Sequence, residues 1–155
     1  MGTEMCVPDS GVFRASDRAC LYPLMIDSSE LRRIARARLK DADVLRRSRR
    51  YDGSVYLCGY AVELALKARI CKTLKWASFP STRKEFQRYS SFRTHDLETL
   101  LHLSGREAAV KLKHLAEWST VVVWEPGVRY RAVGTASFSD ARDIVQSAKV
   151  LLGAL

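Results

Sequence analysis

The most constraining feature of this sequence is a long stretch that is apolar on almost every helical face. It spans residues 55–76, and its first half reads VYLCGYAVELAL. A helix that is hydrophobic all round lies in the interior of a bundle, covered by other helices. Gly59 and Ala61 are small and would let those neighbours approach closely. The stretch therefore predicts the central helix of an all-α domain.

Other periodic segments predict the helices that surround it. Asp27 followed by Glu30 is typical of a helix start, and apolar residues at helical spacing favour a first helix that ends near Arg49. We expect a turn at 51–54 and the start of the central helix near Ser54. The later segments predict a helical piece at 82–89 and helices at 94–103, at 106–121 and from Ser139 or Asp140 onward. The expected fold is an up-and-down bundle of about five helices plus a fragment.

The chain length of 155 residues fits one domain. Residues 1–26 contain Gly, Pro and Ser and show no sustained hydrophobic period, so we expect an irregular N-terminal arm. Residues 27–155 would form the helical bundle. A domain of this size buries enough surface to fold without a disulfide or a metal.

The net charge is +9, from 26 Lys and Arg against 17 Asp and Glu. Such an excess favours phosphate-bearing partners, RNA or a nucleotide above all. The basic first helix offers candidates for an RNA backbone, and a late loop places an aromatic ring between two cations. The simpler alternatives are a solvated basic face and a tyrosine packed under its loop. The candidate RNA-binding residues are Arg32, Arg36, Arg46, Arg129, Tyr130 and Arg131.

The rest of the composition limits location and cofactors. Cys58 and Cys71 would be about 20 Å apart on one helix, too far for a disulfide, and so we expect reduced thiols. No zinc-ligand spacing and no phosphate-binding glycine loop is present, and we expect neither a metal nor a cofactor. The sequence shows no secretory signal and no apolar run of transmembrane length. We expect a cytoplasmic protein that does not associate with membranes.

Several motifs taken together resemble the HEPN superfamily of small helical domains. They are YLCGYAVELALK in the central helix, Phe79-Pro80, Thr94-His95-Asp96-Leu97 followed by LLHLSG, and the late WEPGVRY. The resemblance covers most of the chain. It implies a helical bundle that dimerises, and in many members a metal-independent ribonuclease.

The resemblance also implies an active site. Such sites use an Arg and a His separated by four to six residues and contributed by both subunits, and here six residues separate Arg88 from His95. If Thr94 caps the following helix, His95 is its first residue, where unpaired N–H groups favour a neutral imidazole. A neutral His95 could take the proton of a ribose 2′-OH while Arg88 stabilises charge on the phosphate. Arg93, Asp96 and Glu63 would support the pair.

Glu63 is the single acid in the apolar half of the central helix. A buried acid needs a partner, and the simplest is an i,i+4 salt bridge to Lys67. The alternative is that Glu63 orients an active-site Arg at the dimer interface.

Two functions of different classes follow. The first is an endoribonuclease, acting as a homodimer in a toxin–antitoxin or antiviral system. The second is a non-catalytic module that binds a nucleotide, nucleic acid or a partner protein. An antitoxin or a nucleotidyltransferase would be a further partner. Toxins silenced by tyrosine modification have a Tyr two residues after the His, and Leu97 stands there in this chain.

Overall fold

The computed structural model describes residues 26–80, 87 and 89–155. In these ranges the protein is an all-α bundle, as the sequence predicts, and it also has one pair of two-residue strands, which the sequence did not predict. The predicted arm at 1–26 lies outside the described residues except for Ile26, and its boundary stays a prediction. The helical piece at 82–89 and the candidate Arg88 also lie outside them, apart from Gln87 and Tyr89.

Six α-helices occur in the described part of the chain. The bounds are α1 Ser28–Arg47, α2 Tyr51–Leu74, α3 Leu97–Leu103, α4 Glu107–Lys113, α5 Leu115–Val121 and α6 Phe138–Ala154. Short 3-10 turns occupy Ser90–Phe92 and Pro126–Tyr130. Two strands, β1 (Ile26–Asp27) and β2 (Ser78–Phe79), pair antiparallel and join the start of α1 to the segment after α2.

Helix α2 lies at the centre of the bundle. It packs against α1, α6 and α3, and α5 packs on α6. Its buried positions run through Val62, Leu66 and Ile70, none of which has exposed surface. The prediction of a central helix covered on nearly all sides is therefore confirmed.

The turn before α2 lies earlier than predicted. Helix α1 ends at Arg47, and Arg49 adopts a left-handed conformation with φ of 59°. Helix α2 then begins at Tyr51, so that Asp52 and Gly53 are helical. Gly53 is tolerated because a Cβ there would lie 3.1 Å from Cδ1 of Leu45 on α1, and the missing side chain leaves room for the two helices.

The predicted helix at 106–121 is interrupted. His114 has φ of −138°, outside the helical region, and divides the segment into α4 and α5. The apolar spacing of the sequence continues through the break, and so the pattern alone did not reveal it.

The last helix begins one or two residues before the predicted start. Ser137 is its N-cap, and a capping box joins Ser137 and Asp140. The two hydrogen bonds from the Ser137 N–H and hydroxyl lower the pKa of Asp140.

The loop before α6 is fixed by Asp52. Its carboxylate accepts the N–H groups of Gly134 at 2.7 Å and Ala136 at 2.8 Å. These hydrogen bonds hold the pKa of Asp52 below its ordinary value. An acid near the start of α2 thus positions the loop that follows Pro126–Tyr130.

The two cysteines of α2 are buried and free, as predicted. Burial raises the pKa of the Cys58 thiol to about 12 and that of the Cys71 thiol to about 11. None of the described helices is long and apolar enough to cross a membrane.

Gly59 of α2 is where the core is least able to accept a larger residue. A Cβ there would lie 2.1 Å from Cγ of the buried Trp124, far inside van der Waals contact. We expect Gly59→Ala to lower the free energy of unfolding by about 1–3 kcal/mol or more, because the indole must move. Urea denaturation followed by circular dichroism measures the loss.

Gly153 of α6 provides the matched control. A Cβ there meets nothing within 4 Å. Gly153→Ala should leave stability unchanged or raise it by up to about 1 kcal/mol, since alanine loses less backbone entropy in a helix. Equal effects of Gly59→Ala and Gly153→Ala on stability would contradict the close packing of Gly59 against Trp124.

Candidate functional site

His95 lies in the segment that leads into α3. Asp96, and not Thr94 as the sequence suggested, is the N-cap: its carboxylate accepts the Thr99 N–H at 2.9 Å and also the Thr99 hydroxyl. These bonds lower the pKa of Asp96. Thr94 instead accepts the N–H of Asp96. His95 therefore precedes the cap, and the expected effect of the helix N-terminus on its imidazole does not apply.

Glu63 of α2 holds the His95 ring. Glu63 Oε1 lies 2.9 Å from Nδ1 of His95 and 2.5 Å from Nζ of Lys67. The side chain of Glu63 is only 2% exposed, whereas that of His95 is 65% exposed. The predicted i,i+4 salt bridge is confirmed, and the buried acid has a second partner 32 residues along the chain.

This contact fixes the role of each imidazole nitrogen. A carboxylate can only accept, so Nδ1 donates to Glu63 and a neutral ring keeps its acceptor at Nε2. Because the ring is largely exposed, Nε2 is open to a ligand. An arrangement of this kind can orient an imidazole that acts as a base, with the buried acid behind the ring and Lys67 balancing the charge of the acid.

A cleft of about 330 Å³ lies next to His95. Arg93 and Thr94 line it together with Glu63, Lys67 and Tyr60. Aromatic rings from Phe79 and Phe92 form part of its wall. Two of the predicted supporting residues, Glu63 and Arg93, thus meet His95 in one cleft. Asp96 instead acts on the backbone of α3.

The identity of the Glu63 partner was not predictable from the local sequence. The sequence suggested Lys67 or an Arg from a second subunit, and the structure adds His95. A lone acid in a buried helix signals that some polar partner exists. The contact between Glu63 and His95 depends on how the segment after Ser90–Phe92 returns to α2. No local sequence pattern indicates that path.

An aromatic and cationic surface extends along the same face of α2. Tyr56 and Tyr60 stack with ring centroids 6.5 Å apart, and Tyr60 also lines the His95 cleft. Hydrogen bonds with Tyr56 and Tyr130 raise the pKa of Arg129, whose guanidinium lies 4.8 Å from the Tyr130 ring centre. Tyr130 is 79% exposed, so the alternative in which it packs under its loop is wrong.

The other predicted RNA-binding residues are distributed differently. Arg46 donates two hydrogen bonds to Asp43 and is half-buried, which leaves it little capacity for phosphate. Arg131 lies 3.6 Å from Glu125. Arg32 and Arg36 line a separate cavity with Lys72. The six residues therefore do not form one surface.

The described residues contain no group of three or more His, Cys, Asp or Glu side chains that could hold a metal ion.

The tautomer of His95 provides a direct check of the contact with Glu63. We expect the neutral His95 ring to carry its proton on Nδ1, and the Glu63→Ala variant to lose this preference. Long-range ¹H–¹⁵N correlation spectra distinguish the two ring nitrogens. His114, for which the described residues offer no carboxylate, is the internal reference. A neutral His95 protonated on Nε2 would show that Glu63 does not hold it.

Comparison with known families supports the resemblance seen in the sequence. The family model described as HEPN domain matches residues 28–84, which span α1, α2 and β2 and include Glu63 and Lys67. The match ends before His95. No curated protein and no solved structure matches the chain. Residues 28–84 therefore match the HEPN domain that the motifs of the central helix resemble.

Proposed function

We propose that this protein is a metal-independent endoribonuclease of the HEPN type, with His95 as its general base. The contact between Glu63 Oε1 and His95 Nδ1 is the observation that carries the proposal. The HEPN family includes both ribonucleases and non-catalytic members, so the fold alone does not decide between them. A general base needs an imidazole that is held in a fixed orientation and is open to substrate, and Glu63 provides that orientation. A histidine that served only packing would not need this contact.

The chemistry follows from the free Nε2. It would take the proton from a ribose 2′-OH, and the oxygen would attack the adjacent phosphorus. The bond to the 5′-oxygen then breaks and this oxygen takes a proton from the solvent, which leaves a 2′,3′-cyclic phosphate and a 5′-hydroxyl end. Glu63 would stabilise the imidazolium that forms, in the way that a buried acid supports the histidine of a catalytic triad. Arg88 would stabilise charge on the phosphate oxygens.

A homodimer would complete the site. Members of the family often form dimers and bind RNA. The His95 side chain is 65% exposed, and a general base acts best where water is excluded. A second subunit that brings its own Arg88 and His95 to the same cleft would supply that cover. Arg93, which lines the cleft, would add a cation beside the RNA.

The biological setting that we propose is a toxin or a defence component in the cytoplasm, controlled by an antitoxin or a nucleotidyltransferase. Leu97 stands where tyrosine-modified toxins have their acceptor. Control by binding therefore fits this chain better than control by that modification.

The second candidate function is RNA or nucleotide binding without cleavage. The stacked tyrosines of α2 and the exposed Arg129–Tyr130 pair favour it, since bases stack on such rings and phosphates pair with Arg. This surface would serve a nuclease equally well. Cleavage and binding therefore need separate measurements.

Cleavage of a fluorescent single-stranded RNA in EDTA tests the first function. His95→Ala should lower the rate by about 10²–10⁴-fold, as expected when a general base is removed. Arg88→Ala should also lower it. A substrate with a single 2′-deoxy residue at the cut site should resist cleavage. The products should end in 2′,3′-cyclic phosphate.

His102→Ala is the matched control. His102 Nδ1 lies 2.7 Å from Oε2 of Glu107, so that the chain contains a second exposed histidine held by a carboxylate. This pair is far from α2 in sequence and has no place in the proposed mechanism. Full activity of His102→Ala beside an inactive His95→Ala would support the assignment. Equal activity of His95→Ala and the unmodified protein would refute it.

Glu63 can be tested as a positioning residue. If it acts through His95, the double variant Glu63→Gln/His95→Ala should cleave no more slowly than His95→Ala alone, because residues that act as a unit are not additive. Additive losses would assign Glu63 an independent role. Thermal melting of each variant separates a catalytic effect from unfolding, since the charge of Lys67 would lose its partner.

The binding surface gives a prediction of its own. In the cleavage-inactive His95→Ala background, Tyr130→Ala should weaken the binding of a short single-stranded RNA by about 5–100-fold, since stacking of one base contributes about 1–3 kcal/mol. Tyr130→Phe should retain the affinity, because the ring remains. Fluorescence anisotropy measures both variants. Similar losses in the two would point to the hydroxyl instead of the ring.

A further inference from the structure

A second cavity lies away from the His95 cleft, between α1, α2 and the end of α6. It has a volume of about 200 Å³. The charged residues that line it are Arg32, Arg36 and Lys72, all of them cations, and none has an ion pair with a described residue. The remaining lining side chains are small or apolar and belong to Ala35, Ala65, Leu152, Gly153 and Leu155.

Two further arginines increase the positive charge around this cavity. Burial, and then the charges of Arg106 and Arg32, lower the pKa of Arg69. The guanidinium groups of Arg106 and Arg32 are therefore close enough to that of Arg69 to repel it. Arg106 donates from Nη2 to the carbonyl oxygen of Ala154, next to Gly153 of the cavity wall.

The buried nitrogens of these arginines lack partners. Nε of Arg69 and Nε of Arg106 are both inaccessible and have no hydrogen-bond acceptor in the described structure. Buried donors are almost always paired, and an unpaired one in a native protein calls for an explanation. Other arginines of this bundle do meet carboxylates: Arg33 pairs with Glu30 and Arg38 with Asp41. Arg32, Arg36, Arg69 and Arg106, in contrast, form no ion pair with an acidic side chain of the described residues.

We propose that this cavity is a binding site for a small phosphate-bearing anion, with the phosphate group as the part that is recognised. Guanidinium groups match phosphate oxygens in charge and in geometry, and Lys72 adds a point charge. Most pockets that enclose a drug-sized ligand measure about 300–1,000 Å³. The smaller cavity suits a phosphate or diphosphate group, with any nucleoside attached to it left outside.

The site is separate from the proposed nuclease centre. At about 100° per residue, Ala65, Arg69 and Lys72 lie on the side of α2 opposite to the face of Glu63 and Lys67. The inference therefore does not rest on the proposed cleavage of RNA.

Isothermal titration calorimetry with sodium pyrophosphate, at constant ionic strength set by NaCl, tests the proposal. We expect saturable one-to-one binding. Lys72→Ala should weaken it at least about tenfold. Lys113→Ala is the matched control: Lys113 is an exposed lysine in the last turn of α4, as Lys72 is in the last turn of α2, and neither has an ion pair with a described residue. It should bind as the unmodified protein does.

Arg69→Met adds a readout in the absence of ligand. Because Arg69 is crowded by like charge, this variant should melt at or above the temperature of the unmodified protein in NaCl. The rise in melting temperature that pyrophosphate causes should be lost. If the variant does not fold, the comparison of Lys72→Ala with Lys113→Ala still decides the matter.

The outcomes separate the sources of the phosphate. Equal binding of pyrophosphate and adenosine triphosphate would support a site that reads the phosphate group alone, and tighter binding of the nucleotide would support a site that takes its phosphate tail. Pyrophosphate without effect beyond NaCl, or with undiminished affinity for Lys72→Ala, would overturn the proposal. So would binding of RNA through Lys72 when pyrophosphate does not bind.

Discussion

The burial of α2 on almost all sides is the constraint on which the rest of the structure depends. Each buried polar side chain on such a helix needs a hydrogen-bond partner within the protein, because water cannot reach it. Ser54 donates to the carbonyl oxygen of Ala42 on α1, and Thr73 donates to that of Ser104 at the end of α3. Glu63 binds His95 in the segment before α3. The helix thus supplies most of the apolar core, and its polar residues fix how the surrounding segments are placed.

The helices could be predicted from the sequence because their signals are local. Apolar spacing gave α1, α2 and α6 nearly in full. The errors concern helix boundaries that are set by interactions beyond the local apolar pattern. Asp96 takes the cap from Thr94 through its bonds to Thr99, and α2 begins at Tyr51 because Gly53 can lie against Leu45. The break at His114 interrupts an apolar pattern that continues on both sides of it.

The candidate site was predictable in part. The sequence indicated His95 by family resemblance and Glu63 by the rule that a buried acid needs a partner, but it did not join the two. The sequence also shows how many basic residues α1 contains, but not which of them already form ion pairs. Asp43 accepts from Arg46 and Arg47, and the hydrogen bond from Arg46 is the main cause that lowers the pKa of Asp43. Arg32 and Arg36, on the same helix, have no such partner among the described residues.

The two proposed sites use opposite faces of one continuous helix, and this makes them experimentally separable. An anion bound at the Arg69 face would stabilise the folded protein by mass action, whether or not the domain cleaves RNA. Phosphate in the assay buffer could then raise the apparent activity of a marginally stable variant without touching its base. If His95→Ala lowers the cleavage rate by the same factor in the Lys72→Ala background as in the unmodified protein, the loss belongs to the Glu63 face alone, because Lys72→Ala removes the stabilising anion without altering His95.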